Sequence, residues 1–175
     1  DGTPIPAGER SHTDAIGNLD GLRTANTQLH LISSLTQFYL CAPSPTVRSR
    51  LEESVHTLEG LVHTHGGHMY TAYHPDGRPA DKTDSFGHDL ECVALTREAR
   101  HILGMPDPSS MEPLMHNTLR KGRDAVHGGF YHQQAVSGVV DERKVWWVQV
   151  EAMYTLLVAS RRDAEDAPAC REAFL

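Results

Sequence analysis

The chain has 175 residues, of which 39% are apolar, and carries a formal net charge of −7. This size suits one domain or part of a larger one. The net charge is negative and the sequence contains no block of like charge. Both features argue against binding to nucleic acid or to an anionic membrane surface. We also expect no membrane-spanning segment, because no apolar run is long enough and the N-terminus lacks a signal-peptide pattern.

The cysteine and histidine content narrows the class of protein further. Cys41, Cys92 and Cys170 are far apart and show no paired spacing, which favours a reducing cytoplasm over a disulfide framework or a zinc motif. Twelve histidines are unusual for this length. The chain starts at Asp1 without a methionine and stops at Leu175 within a predicted helix, so we expect a piece of a larger polypeptide.

Apolar positions at helical spacing predict six helices joined by alternating short and long connections. Residues 1–20 are turn-rich and are expected to form an irregular lead-in. The helices are expected over about 22–40, 47–63, 87–103, 109–126, from 144 or 146 to 160, and from 166 onward. A short strand within 69–73 and a small hairpin before Arg143 complete the prediction. The fold class is therefore all-α, with stacked helical hairpins in a single domain over 1–175.

Local signals set some of the helix ends. Thr46 is the expected N-cap of the second helix, after the break at Pro43 and Pro45. Gly104, with Pro106 beyond it, is expected to end the third helix.

The stretch Ser85-Phe86-Gly87-His88-Asp89-Leu90-Glu91 opens the third predicted helix. Helical geometry places His88 and Glu91 on one face, one turn apart. The positive end of the helix macrodipole favours the neutral imidazole, whereas Glu91 favours the cation, so the pair is suited to general acid–base chemistry. Gly87 leaves room for close backbone approach. The alternative is a surface His–Glu pair that contributes only about 0.2–0.5 kcal/mol.

Two other predicted helices begin with polar residues at the same spacing. Asn26 and His30 are four residues apart, as are Trp147 and Glu151. If these helices are neighbours that point the same way, the three pairs meet around one pocket. Trp146 and Trp147 point about 100° apart, so one is expected in the core and the other is available as a flat sugar platform. Burial of both tryptophans in the core is the alternative.

Four stretches together resemble the N-acylglucosamine 2-epimerase superfamily, and in particular its cellobiose and mannobiose 2-epimerase branch. The similarity runs in register from about residue 22 to residue 160. The stretches are Ala25-Asn26-Thr27-Gln28-Leu29-His30-Leu31, Ser85-Phe86-Gly87-His88-Asp89-Leu90-Glu91, Gly128-Gly129-Phe130-Tyr131 and Lys144-Val145-Trp146-Trp147-Val148-Gln149-Val150-Glu151-Ala152.

The resemblance implies an (α/α)6 barrel, of which this chain would hold the central part. It also implies inversion at C2 of a reducing-end sugar or disaccharide through ring opening and a cis-enediolate, without a metal or another cofactor. His88 would be one of two acid–base histidines, and Glu91 would orient it and tune its pKa. Asn26 and His30 would bond the open-chain oxygens, Trp147 would be the sugar platform and Glu151 a supporting polar group.

The chain departs from the family pattern at several points. Gln28 stands where another histidine is common, Ala94 where the disaccharide branch often has a tryptophan, and Val148 where proline is common. The second acid–base histidine belongs to a segment beyond Leu175, and the Arg and Tyr of the family's first helices are absent. We therefore expect an inactive 175-residue chain and an active parent protein. Surfaces exposed by truncation leave homo-oligomerisation open.

Three other functions compete with this interpretation. His63, His65 and His68 lie within six residues, with His74 nearby, and would form the site of a non-enzymatic metal-binding module. Glu91 and Glu151 would be the two carboxylates of a glycoside hydrolase or lyase. An aldose–ketose isomerase of the same superfamily would differ only in returning the proton to C1.

Overall fold

The computed structural model describes residues 21–65, 67–107, 111–161 and 167–174; the side chains of residues 63, 64 and 174 and the expected lead-in over 1–20 lie outside this description. Within these residues the helices α1 to α6 are Ala25–Cys41, Pro45–Thr64, Phe86–Leu103, Glu112–Lys121, Trp146–Ser160 and Ala167–Phe174. The short strands β1 to β5 are Arg23–Thr24, Ala72–Tyr73, Asp84–Ser85, Gln133–Gln134 and Val140–Asp141. The expected all-α class with short hairpin insertions is confirmed.

The strands form two small antiparallel sheets beside the helix starts. Strand β1 pairs with β2, with Thr24 opposite Ala72. Strand β4 lies between β3 and β5, so that Ser85 is opposite Gln133, which is in turn opposite Asp141. The β4–β5 connection turns at Gly138, whose φ of 85° suits glycine. Since β3 runs directly into α3, the hairpin is fixed against the first turn of that helix.

The helices pack in two layers. Helices α1, α3 and α5 lie side by side, and α2, α4 and α6 pack beside them as their hairpin partners. Gly87 meets Trp147 near the starts of α3 and α5, while Val93 and Val158 line one cavity further along the same two helices. Helices α3 and α5 therefore run parallel. Alternation of this kind is the arrangement of an (α/α)6 barrel.

The helix ends follow mainly from capping. Thr24 Oγ1 accepts a hydrogen bond from the Thr27 N–H over 3.2 Å at the start of α1. Helix α2 begins earlier than predicted, because the Ser44 hydroxyl, and not Thr46, accepts from the Val47 N–H. Gly104 ends α3 as predicted, with a φ of 72° and its N–H directed to the Arg100 and His101 carbonyls.

Helix α4 is shorter than the predicted 109–126 and ends at Lys121. The ring of Phe86 occupies the space where a Cβ on Gly122 would lie. Next, Asp124 Oδ1 accepts hydrogen bonds from the N–H groups of Val126 and His127. This side chain offers the backbone a turn in place of further helix, which is why the periodic pattern overestimated the length.

One hydrophobic core joins the two layers. A fully buried Leu, Ile, Val, Phe or Met side chain contributes about 1.5–3 kcal/mol relative to exposure. The largest fully buried side chains in it are Leu29, Ile32, Leu51, Leu58, Met69, Leu90, Met111, Leu114, Met115 and Leu156. None of the described helices combines the length and apolar character needed to cross a membrane.

Candidate active site

The six residues singled out from the sequence lie at one level of the α1, α3 and α5 layer. Asn26 and His30 are in the first two turns of α1, His88 and Glu91 in those of α3, and Trp147 and Glu151 in those of α5. Because these helices are neighbours, the three pairs occupy one end of a single face.

Close packing of Trp147 on Gly87 joins α3 to α5. A Cβ on Gly87 would overlap Trp147 Cζ3, so only glycine leaves room for the indole. The Trp147 ring centroid is 5.0 Å from that of His88, with the planes tilted by 40°. Trp146, by contrast, is 75% exposed. The two tryptophans therefore face different ways, but Trp146 is not in the core as expected, and Trp147 forms a wall beside the imidazole.

Burial sets the protonation state of His88. It lowers the pKa of His88 from 6.5 to about 4, and repulsion from the His132 and His30 imidazoles acts in the same direction. His88 Nδ1 is buried, and among the described residues nothing hydrogen-bonds to it. The imidazole is therefore neutral at physiological pH and able to accept a proton. The expected counterbalance from Glu91, which would have held the pair near neutrality, is not what controls this pKa.

Two carboxyl groups lie beside the histidines. Burial, together with the nearby Glu151 carboxylate, raises the pKa of Glu91 from 4.5 to about 7. Burial also raises the pKa of Glu151, while His30 opposes that change. These mutual effects show that His30 of α1, Glu91 of α3 and Glu151 of α5 are close enough to influence one another's charge. Glu91 can hold or release a proton near neutral pH.

A further histidine at this site, His132, precedes β4 and was not predicted from the sequence. Its ring lies edge-on to Trp147, with centroids 6.3 Å apart, and its Nδ1 is 3.1 Å from Asp141 Oδ2. The Phe86 N–H donates to the His132 carbonyl over 3.2 Å, which fixes this residue next to the start of α3. Pairing residues outward on both sides of the turn at Gly138 would have placed His132 close to Asp141. The hairpin sequence therefore contained a signal for this histidine–aspartate pair.

The Gly128-Gly129-Phe130-Tyr131 stretch is held by α5. Gln149 Oε1 accepts from the Phe130 N–H over 2.8 Å, and Gln149 Nε2 donates to the Phe130 carbonyl over 2.7 Å. A Cβ on Gly129 would lie 2.8 Å from Gln149 Oε1. The side-chain amide thus pairs with the loop as a strand would, and this pairing anchors the segment that leads to His132.

Asn26 is the predicted residue with the least structural support. Its side chain is half-buried one turn before His30, and within the described ranges no hydrogen bond joins it to another residue. Ala94 lies two turns along α3 and lines a cavity of about 320 Å³ with Arg97, Glu98 and Tyr154, among others. The space beside Ala94, between α3 and α5, is therefore open where a larger side chain would fill it.

The histidine cluster of the alternative metal-binding module is not assembled by its described members. His65 Nε2 is 3.2 Å from the Gly77 carbonyl oxygen, and the His65 ring stacks on Tyr73. His68 Nδ1 is 2.9 Å from Asp84 Oδ2, whereas the side chain of His63 lies outside the description. No group of three His, Cys, Asp or Glu side chains in the described part of the chain is arranged to hold a metal ion. His65 and His68 have separate partners instead of a shared one.

Comparison with known proteins confirms the predicted resemblance. No protein-family profile matches the chain. The cellobiose 2-epimerase of Dictyoglomus turgidum is 26% identical over 147 residues, which are 82% of this chain and 38% of the relative. The Bacteroides fragilis cellobiose 2-epimerase is 26% identical over 140 residues, covering 75% of this chain and 35% of the relative. The chain thus spans about two-fifths of the length of these relatives.

Solved structures give the same result. The cellobiose 2-epimerase of Spirochaeta thermophila matches with a TM-score of 0.77 and 27% identity, over 98% of this chain and 42% of that one. The enzyme of that name from Bacillus thermoamylovorans matches with a TM-score of 0.76 and 22% identity, over 86% of this chain and 39% of that one. A D-mannose isomerase matches with a TM-score of 0.69 and 16% identity, over 89% and 44% of the respective chains. Because the last two identities are low, these two comparisons show similarity of fold only.

Proposed function

We propose that this chain is the central part of a sugar 2-epimerase that inverts C2 of a reducing-end aldose, with a disaccharide such as cellobiose as the substrate class. The observation that carries the proposal is a neutral, buried imidazole, His88, beside Trp147 at the common end of three packed helices. The extended similarity to cellobiose 2-epimerases supports the same assignment.

The chemistry begins with the open-chain sugar, in which the C1 carbonyl acidifies the proton on C2. Neutral His88 accepts that proton, the C2–H electron pair forms the C1–C2 double bond, and the carbonyl electrons move to O1 to give a cis-enediolate. A proton then returns to the opposite face of C2, and the C1 carbonyl re-forms. Because the carbonyl itself acidifies C2, we propose that the reaction needs no metal or other cofactor.

The remaining residues support this step. Asn26 and His30, on the exposed side of α1, are placed to bond the open-chain oxygens and the enediolate. Glu91, with a pKa of about 7, offers a carboxylate beside the imidazolium that His88 becomes. Trp147 presents ring surface to the C–H face of the sugar, and Glu151 completes the polar side of the pocket.

Exposed apolar side chains support the view that the helical layer continues beyond this chain. Val150 and Met153 on α5 are 51% and 60% exposed, and Leu31 and Phe38 on α1 are 45% and 55% exposed. Among the described residues, α1 and α5 are the outer helices of the α1, α3 and α5 layer, and further helices of a closed ring would pack beside them. We therefore propose that the second acid–base histidine comes from outside these 175 residues, and that the chain alone is inactive.

The sparse cysteines, which show no paired spacing, agree with a reducing compartment, which we propose is the cytoplasm. Cys41 is exposed and Cys92 is buried, and neither forms a disulfide.

Proton NMR of the full-length protein with cellobiose, mannobiose, glucose and mannose in heavy water tests the proposal. A 2-epimerase yields the inverted aldose with deuterium at C2. Formation of a ketose would instead establish an aldose–ketose isomerase, and release of monosaccharides from cellobiose would establish a hydrolase that uses Glu91 and Glu151. Absence of any product from all four sugars would overturn the proposal.

A further inference from the structure

Hydrogen bonds fix the position and orientation of the His132 imidazole. Its Nδ1 is 3.1 Å from Asp141 Oδ2, and its backbone N–H donates to the Asp141 carbonyl over 3.0 Å. Asp141 is itself fixed by Arg143, whose Nε and Nη2 donate to the carboxylate over 2.8 and 2.5 Å. The Arg143 bonds, followed by the bond to His132, lower the pKa of the Asp141 carboxyl, so it stays ionised. A carboxylate at one ring nitrogen sets the tautomer and orientation of the other.

The imidazole also lies against the candidate active site. It meets the Trp147 ring edge-on at 6.3 Å between centroids, and its charge acts on His88. The His132 side chain is only 22% exposed. Trp147 is thus bordered by two imidazoles, His88 from α3 and His132 from the hairpin.

A nearby histidine–aspartate pair shows what a merely local contact looks like. His127 Nδ1 is 3.4 Å from Asp124 Oδ2, but the His127 side chain is 77% exposed. Among the described residues His127 makes no ring contact with Trp147. It serves as the matched control.

We propose that His132, held by Asp141, is a further sugar-binding residue of this site, and that its Nε2 bonds a substrate oxygen beside Trp147. This inference rests on the proposed function, since it assigns His132 to the same sugar. With Nδ1–H donated to Asp141, Nε2 of the neutral ring accepts from a sugar hydroxyl, and Nε2–H of the charged ring donates to a sugar oxygen. Either state makes one hydrogen bond, so the residue contributes to binding without taking the C2 proton.

The test compares His132→Ala, His132→Gln and His127→Ala in the full-length protein. Cellobiose binding is measured by calorimetry, and KM and kcat are measured separately. We expect His132→Ala to weaken binding and raise KM by about ten-fold, the size of one hydrogen bond, with a smaller change in kcat. His132→Gln should restore part of the binding, since its amide can still reach a hydroxyl. His127→Ala should change neither quantity.

A second readout separates binding from scaffolding. The imidazoles of His132 and His30 both lower the pKa of His88, so removal of His132 should raise the pH at which the His88 imidazole titrates by NMR. Unchanged cellobiose affinity in a folded His132→Ala protein would overturn the proposal, as would equal losses in His132→Ala and His127→Ala. If the wild-type protein binds cellobiose but does not epimerise it, the proposed function fails while the binding role of His132 is still tested.

Discussion

Two groups of histidines in this chain differ in how they are assembled. His65 and His68 are close in sequence, yet one contacts the Gly77 carbonyl and Tyr73 whereas the other binds Asp84. His30, His88 and His132 are far apart in sequence, yet their electrostatic effects converge on His88. The difference shows that helix packing, and not sequence proximity, gathers the imidazoles available for chemistry.

His88 also differs from the loop histidines in its free hydrogen-bonding capacity. Ring nitrogens of the loop histidines already have protein partners. His88 Nδ1 is buried and unpartnered among the described residues. An unmade hydrogen bond on a buried group costs about 1–3 kcal/mol, which is a cost typical of functional sites.

The largest expected effect comes from replacing one histidine of each group by alanine. His88→Ala in the full-length protein should lower kcat for C2 inversion by at least about 100-fold, because a general base contributes about 10²–10⁴-fold. His65→Ala, the matched loop variant, should stay within about two-fold of wild type. Deuterium incorporation at C2 measures both, and a loss in His65→Ala comparable to that in His88→Ala would remove the distinction between the groups.

The packing of Trp147 on Gly87 gives the next effect. Gly87→Ala places a Cβ in the space that Trp147 Cζ3 occupies, so the indole must move away from His88. We expect a stability loss of about 1–3 kcal/mol in urea unfolding, from overpacking, and a drop in kcat of about 10- to 100-fold.

Gly60→Ala is the control for helix propensity. Gly60 lies within α2, and no atom lies within 4 Å of the place that an added Cβ would take. Alanine should therefore stabilise the protein by about 0.5–1 kcal/mol and leave kcat unchanged. A neutral or stabilising Gly87→Ala with full activity would show that the indole position is unimportant.

The last effect is on stability alone and concerns Asp89, the fully buried carboxyl that follows His88 in the sequence. Burial, and secondarily Asp84, raise the pKa of Asp89 well above its ordinary value, and Thr118 donates to it over 3.3 Å. A raised carboxyl pKa means that the folded state binds more protons than the unfolded state. Stability therefore falls as pH rises from the unfolded pKa towards the folded pKa, by up to about 1.4 kcal/mol per pH unit.

Asp89→Asn should remove the Asp89 part of this slope, since asparagine does not ionise, and leave the part that comes from Glu91, whose pKa is also raised. Urea unfolding at a series of pH values above 4 measures it, with the exposed Glu142→Gln as the control that keeps the wild-type slope. A wild-type slope in Asp89→Asn would assign the pH dependence to other carboxyls, Glu91 and Glu151 first.

Much of the helical layer was predictable because its signals are local. Apolar spacing located α1, α2, α3 and α5 to within a few residues, and Gly104 marked the end of α3 as expected. Helix α4 was predicted too long because a turn built by Asp124 and the Phe86 ring on Gly122 are not visible in periodicity.

The candidate site was predictable where its residues lie at helix starts, and not where they depend on pairing. His88, Glu91, Trp147 and Glu151 follow from one-turn spacing on helices that prove to be neighbours. His132 depends on the register of β3, β4 and β5, which a hairpin of two-residue strands encodes weakly. The low pKa of His88 depends on burial by neighbouring helices, which the helix dipole and Glu91 alone do not describe.

The most direct measurement is an NMR titration of the histidine side chains in the full-length protein, with and without cellobiose. We predict that His88 stays neutral from about pH 8 down to well below its ordinary pKa of 6.5, and that its resonances move when cellobiose is added while those of His65 and His68 do not. A His88 that titrates at or above that ordinary value and is unaffected by the sugar would contradict the assignment of this imidazole as the base of a sugar site.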